Sequence, residues 1–187
     1  MSSASTSLPL VSFVIPCYNY GRFLPDCLRG IFGQEEYQDF EIIAVDDGSK
    51  DDTLEVLASF SDPRLRVLIN ERNQGHVYTV NRGMEEARGK YMVRIDPDDR
   101  HRPCFLKETI PKLEAHPEVG LVYGGVALIN AEGEITSDPT PSDLGTDRKG
   151  NELLSILKKN YICAPTVIAR RDAWIDAWPI PQGLAFN

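Results

Sequence analysis

Three carboxylates fall within four residues at Asp96, Asp98 and Asp99, with only Pro97 among them. Charges this close repel one another, and a turn needs only one such side chain. The cluster therefore suits a hard divalent cation. Mg2+ or Mn2+ takes oxygen ligands, commonly one or two carboxylates with phosphate and water completing the shell. Asp96 and Asp98 are the predicted metal ligands, and Asp96 also counts as a ligand-binding residue. A solvated acidic turn is the plain alternative. The position of the cluster, directly after the expected buried strand Tyr91–Ile95, favours the metal.

A second acidic pair, Asp46-Asp47, ends another apolar run, Glu41–Val45. A carboxylate there can accept the ring N–H of uracil, thymine or guanine through a charge-assisted hydrogen bond. Gly48 and Ser49 suit the turn that follows, and Asp51 or Asp52 suits a helix cap. A third polar segment follows Val11–Pro16. Pro16 closes the run, Tyr18 and Tyr20 offer rings that stack on a base or simply pack, and Asn19 can hold the loop or touch a nucleotide. Asn73 and Gly75 precede a helix start whose free N–H groups suit a phosphate. Arg94 pairs with a nearby carboxylate or with the ligand, since a long buried cation needs a partner.

The elements that must place these residues follow from apolar spacing. Strands are expected at Val11–Pro16, Glu41–Val45, Leu65–Ile69 and Tyr91–Ile95. Helices are expected through Phe23, Leu24, Cys27, Leu28 and Ile31, through Leu54, Leu57 and Ala58, and from His76 to Arg88 with Gly89 closing it. Pro103 opens a further helix that Pro111 kinks or splits. Val119–Ile129 reads as extended, Ala131-Glu132-Gly133 as a tight turn and Thr136–Gly150 as a surface loop. A helix near Glu152–Lys159, a strand near Thr166–Ala169 and a helix from Arg171 follow. This alternation predicts an α/β fold, a mainly parallel sheet flanked by helices in a single domain. Ligands of such sheets bind beyond the carboxyl ends of the strands, where all three polar segments lie.

The chain has 187 residues, enough for one domain with a core. A formal charge of −8 argues against nucleic acid as a partner, although a bound cation still brings phosphates to an acidic protein. Cys17, Cys27, Cys104 and Cys163 have no zinc-ligand spacing and read as thiols of a reducing compartment, hence a cytoplasmic location. No stretch is apolar enough for a membrane span, which leaves peripheral membrane association open. Residues 1–9 read as a disordered tail and 10–187 as the domain.

The ordered series VSFVIPCYN, EIIAVDDGSKDDT, NQGHVYTVNRGMEEARGKYMVRIDPDD and RPCFLKETIPKLEAHPEVGLVYGG resembles the family 2 glycosyltransferases of the GT-A, Rossmann-like fold. The resemblance implies transfer of a sugar from a nucleoside-diphosphate sugar (UDP-, dTDP- or GDP-linked) to a hydroxyl of a glycan, lipid-linked or other acceptor, with inversion and Mg2+ or Mn2+. It makes Asp47 the base-contacting aspartate with Asp46 beside it, and Asp96 and Asp98 the metal and diphosphate motif. Asn81 and Gly83 fall on positions the family fills with Asn and Gly, while Val80 replaces an Arg found in other members. The family's general base falls beyond Asn187, so no catalytic residue is assigned and the domain is expected to be incomplete at its C-terminus. Two other functions fit less of the sequence. One is a nucleotide-sugar-binding domain without turnover. The other is a nucleotidyltransferase, which normally needs a more Gly-rich, basic loop than CYNYGRF.

Overall fold

Two runs of seven residues, Val11–Cys17 (β1) and Phe40–Asp46 (β2), are buried at every position, as strands covered on both faces must be. They pair in parallel, from Val11 opposite Phe40 to Cys17 opposite Asp46. The computed structural model describes residues 8–138 and 162–181, and its sheet grows outward from this pair. Leu65–Ile69 (β3) lies beyond β2, and Tyr91–Arg94 (β4) flanks β1 on the other side, both parallel. Leu121–Val122 (β5) stands at one edge. Leu128–Ile129 (β6) and Ile135–Ser137 (β7) form a separate hairpin. Ile168–Arg170 (β8) inserts antiparallel between β4 and β5, giving the order β3-β2-β1-β4-β8-β5.

The helices Leu24–Phe32 (α1), Thr53–Ser59 (α2), His76–Glu86 (α3), Phe105–Ala115 (α4) and Arg171–Asp176 (α5) cover the two faces. Leu24, Leu28, Ile31, Leu57, Leu106 and Ile110 bury the α1, α2 and α4 side against Phe13, Ile15 and Ile42. Val80 and Met84 of α3, with Trp174 of α5, meet Val14, Ile43 and Val45 on the other. The chain steps outward from β1 to β3 with its helices on one face, then returns through α3 on the opposite face to β4. That reversal opens a crevice between the ends of β1 and β4, the usual ligand position in a doubly wound sheet. Pro16 fits there. The last β1–β4 pair is Val14 with Arg94, so the N–H that proline lacks lies past the end of the ladder.

Gly83 lets α3 lie close to the sheet: a Cβ added there would stand 2.4 Å from Val14 Cγ1. The far end of α3 is tied down by a buried carboxylate. Glu41 accepts from the Ser12 hydroxyl at 2.7 Å, from the Arg88 amide at 2.8 Å and from the Arg88 guanidinium at 3.0 Å. Burial pushes the Glu41 carboxyl up, yet Ser12 and Arg88 together hold it below the usual carboxylate value.

Several expected boundaries move for physical reasons. α3 stops at Glu86, short of Arg88, because the Arg88 and Gly89 amides donate to Ser12 and Glu41 instead of to the helix. Pro111 does not split α4, which runs on to Ala115; the proline sits on an exposed face, where water can take the carbonyl it leaves unpaired. Val119–Ile129 is extended only at β5 and β6, with Gly124 and Gly125 between them. The turn at Gly133 is as expected, but Thr136 and Ser137 belong to β7, not to a loop. Asp52 occupies the cap position of α2 without a side-chain bond. Asp51 does that work, accepting from the Thr53 amide at 3.1 Å and from the Gly21 amide at 3.0 Å. The tail over residues 1–7, most of the loop to Gly150 and the helix near Glu152–Lys159 lie outside the described residues. No helix among the described residues is long and apolar enough to cross a membrane.

Candidate functional site

The ends of β1, β2 and β4 converge, bringing Pro16–Tyr20, Asp46–Ser49 and Asp96–Asp99 to one edge of the sheet. Asn19 adopts φ +60°, and its Oδ1 accepts from the Lys50 amide at 2.7 Å while its own amide donates to Ser49 Oγ at 2.9 Å. It thus locks the first loop to the second. Tyr18 beside it keeps 41% of its surface exposed, a ring presented to solvent at the rim.

The two adjacent aspartates have different surroundings, because successive residues at a strand end point to opposite faces. Asp46 is fully buried. Its Oδ2 accepts from the Ser49 amide at 3.2 Å, and its Oδ1 finds no partner among the described residues. Asp47 turns toward α3 and gathers the loop before that helix. Its Oδ1 accepts from Asn70 Nδ2 at 2.6 Å and from the Gln74 amide at 2.9 Å, and its Oδ2 from the Gly75 amide at 2.9 Å. Asn73 closes the same turn by accepting from the Gly75 amide at 3.0 Å. Gly75 sits at φ +92°, where a side chain would be strained.

In the third loop, Asp96 is paired through both carboxylate oxygens with the Arg94 guanidinium two residues back. Its backbone carbonyl accepts weakly from the Cys27 thiol of α1 at 3.8 Å. Asp98 is exposed, and Asp99 is half-buried. Burial, then the charges of Asp98 and Asp96, push the Asp99 carboxyl up to about 6. Negative charge is thus in excess here even with Arg94 present, which fits a divalent cation. Among the described residues no three His, Cys, Asp or Glu side chains form a ready cage. The donor set fits Mg2+ or Mn2+, which keep water and phosphate in their shell, and not a closed structural zinc.

Sequence reasoning missed two residues and a neighbouring cleft that the fold brings here. His76 opens α3 within electrostatic reach of Arg94, Asp96 and Asp47; burial and Arg94 hold its imidazole below the ordinary value. The only signal in the sequence was its place directly after Gly75 at the expected helix start. Cys163 lies near Asp99 and Asp96, its thiol raised chiefly by burial. Beyond Asp98, Phe23, Arg100, Ile129, Asn130 and Ala131 line a cleft of about 200 Å³ under the β6–β7 hairpin. All four cysteines are free, and burial raises the thiols of Cys17 and Cys27, so neither is a ready nucleophile.

His101 supports the acidic loop from below. Its Nε2–H donates to the Pro165 carbonyl at 2.7 Å, and its ring stacks on Phe105 with centroids 4.0 Å apart. Burial pulls this imidazole down to about 4. A base whose folded pKa is depressed adds stability that is present above its unfolded value near 6.5 and is lost as pH falls toward 4. The expected stability difference between wild type and His101→Phe therefore narrows by about 2 kcal/mol from pH 6.5 to 4.5. Urea unfolding at both values checks it. The raised Asp99 carboxyl acts with the opposite sign in that window but is common to both proteins and cancels.

Comparison with known proteins agrees with this arrangement. The family described as Glycosyl transferase family 2 matches residues 12–176. Glycosyltransferase GlyG of Streptococcus pneumoniae is 42% identical over 117 residues, covering 62% of this chain and 38% of GlyG. The crystal structure of S. aureus TarS 1–349 in complex with UDP-GlcNAc superposes with a TM-score of 0.73 at 22% identity, covering 89% of this chain and 47% of that one. The mannosyltransferase PcManGT from Pyrobaculum calidifontis, in complex with GDP-Man and Mn2+, gives 0.68 at 18% identity over 95% of this chain and 49% of that one. The chain thus spans about half or less of these proteins, and the structural likeness establishes its GT-A fold. With the family match running almost from end to end and its acidic loops meeting at one sheet edge, the chain belongs to glycosyl transferase family 2.

Proposed function

We propose that this chain binds a nucleoside-diphosphate sugar at the ends of β1, β2 and β4. There it serves as the donor site of an inverting glycosyltransferase that uses Mg2+ or Mn2+. The observation that carries the reading is the convergence of three strand-end loops at the switch point, with Asp46-Asp47 on one and Asp96, exposed Asp98 and Asp99 on another. Asp96 and Asp98 would hold the ion, and the ion would neutralise the diphosphate as it leaves. Asp47 has three donors and therefore one lone-pair site left for a base N–H. Tyr18 offers its ring to the base, with Asp46, Pro16 and Asn19 framing the floor, and Asn73 and Gly75 sit on the α3 side toward the diphosphate. UDP-GlcNAc in TarS and GDP-Man with Mn2+ in PcManGT support a donor of this class. The acceptor would be a hydroxyl of a glycan or lipid-linked sugar, with the protein in the cytoplasm or at a membrane surface.

Thermal-shift measurements with UDP, dTDP, GDP and CDP, each with and without Mn2+, test this. A ligand at 100 times its dissociation constant stabilises the fold by about 2.7 kcal/mol. UDP, dTDP or GDP should do so with Mn2+, and CDP, whose base lacks a ring N–H donor, should not. If none of the first three raises the melting temperature with Mn2+, the donor-site reading is wrong.

A further inference from the structure

Arg94 stands two residues before the first aspartate of the acidic loop. Because side chains alternate along a strand, it comes out on the same side as Asp96. Its Nη2 engages both Asp96 oxygens. The pair is largely enclosed, with 19% and 29% of the two side chains exposed. The same guanidinium lies within electrostatic reach of His76, Asp99 and Cys163.

This pairing has two consequences. Both Asp96 oxygens already carry a contact to the Arg94 guanidinium, which therefore competes with a metal ion for them. The arrangement also leaves the Arg94 Nε–H enclosed and without an acceptor among the described residues. An enclosed donor without a partner is costly, so the ion pair is not the best arrangement open to this guanidinium. A pyrophosphate brought in by a divalent cation supplies planar-matched oxygen acceptors, which arginine takes in bidentate fashion.

We infer that Arg94 is an exchangeable cation of the site: it clamps Asp96 in the unloaded chain and passes to the diphosphate of the donor when a metal ion takes Asp96. The inference rests on the donor-site reading above and adds a residue to it. Arg94 then opposes metal binding and favours diphosphate binding, two effects of opposite sign from one side chain.

The test uses this chain with Mn2+ alone, followed by electron paramagnetic resonance, and with UDP and GDP at saturating Mn2+, followed by calorimetry. In Arg94→Met, Mn2+ alone should bind about 3- to 10-fold more tightly, because Asp96 is free. Affinity for the nucleoside diphosphate should fall about 10-fold, the loss of a charge-assisted contact. Arg94→Lys, which keeps a charge without the fork, should lie between the two for both ligands, and it carries the test if the Met variant does not fold. Unchanged Mn2+ and diphosphate affinities in both variants would show a purely structural ion pair and overturn the inference alone. A wild-type chain that binds neither UDP nor GDP would overturn the donor site and this inference together.

Discussion

Asp98→Ala lowers Mn2+-dependent affinity for the nucleoside diphosphate by about 100-fold, about 2.7 kcal/mol, while leaving stability within about 0.5 kcal/mol of wild type. The two halves of this expectation have one source. Asp98 is exposed, and among the described residues no ion pair or side-chain hydrogen bond holds it, so the fold loses little without it. Asp96 is engaged by Arg94 and Asp99 is partly retracted, which leaves Asp98 as the carboxylate that first meets an incoming ion. A hard cation with few protein ligands depends heavily on each of them. Calorimetry with UDP and Mn2+ before and after the substitution reads the effect, and Asp172→Ala on α5 is the control for a remote lost charge. Undiminished affinity in Asp98→Ala with chelator in excess would remove the metal from the site.

How much of this was legible beforehand depends on how local each cause is. β1 and β2 announce themselves because strands buried on both faces need near-continuous apolar runs, and VSFVIP and EIIAV supply them apart from Ser12 and Glu41, which bond to each other. The convergence of the three polar loops follows from alternation of strand and helix alone. The partner of Arg94 was legible as a nearby carboxylate, since pleating puts positions two apart on one side. β8 was placed near its true position, but three residues carry no sign that they run antiparallel between β4 and β5. That pairing comes from long-range contacts. Beyond the Gly75 that precedes His76, nothing in the sequence around His101 or His76 marks a role for either. One proves to be enclosed against Phe105 and Pro165 and the other to stand at the head of α3 beside the acidic loop, both through segments distant in sequence. The unlike environments of Asp46 and Asp47 were also hidden. They are the same residue type in consecutive positions, and only the direction of the pleat relative to α3 separates them.

That separation yields the last expectation, in which stability and binding move differently at the two aspartates. Asp47→Ala takes the acceptor from the Gln74 amide, leaves Asn70 Nδ2 only its long contact to Thr79 Oγ1 at 3.4 Å and leaves the Gly75 amide only Asn73 Oδ1, in a site where Asp47 is 2% exposed. Each orphaned donor costs about 1–3 kcal/mol, less where the loosened loop admits water, so a total loss of about 3 kcal/mol is expected. Asp47→Asn keeps one acceptor but sets an amide N–H against the Gln74 or Gly75 N–H, and should lose about 2 kcal/mol. Asn70 cannot compensate, since its Oδ1 already accepts from Arg82 and its Nδ2 loses a partner. Asp46→Asn differs. Oδ1 of Asp46 has no donor to lose, and the Ser49 amide can still find the remaining carbonyl oxygen, so stability should change by less than about 1 kcal/mol. Urea denaturation of the three variants separates these cases, and calorimetry with UDP, dTDP or GDP and Mn2+ then assigns the base contact. If Asp47 is the base acceptor, both of its variants bind about 10-fold or more weakly, whereas Asp46→Asn binds as wild type. A stable Asp46→Asn protein that has lost affinity for the base would transfer the contact to Asp46 and leave Asp47 as the clamp of the loop before α3.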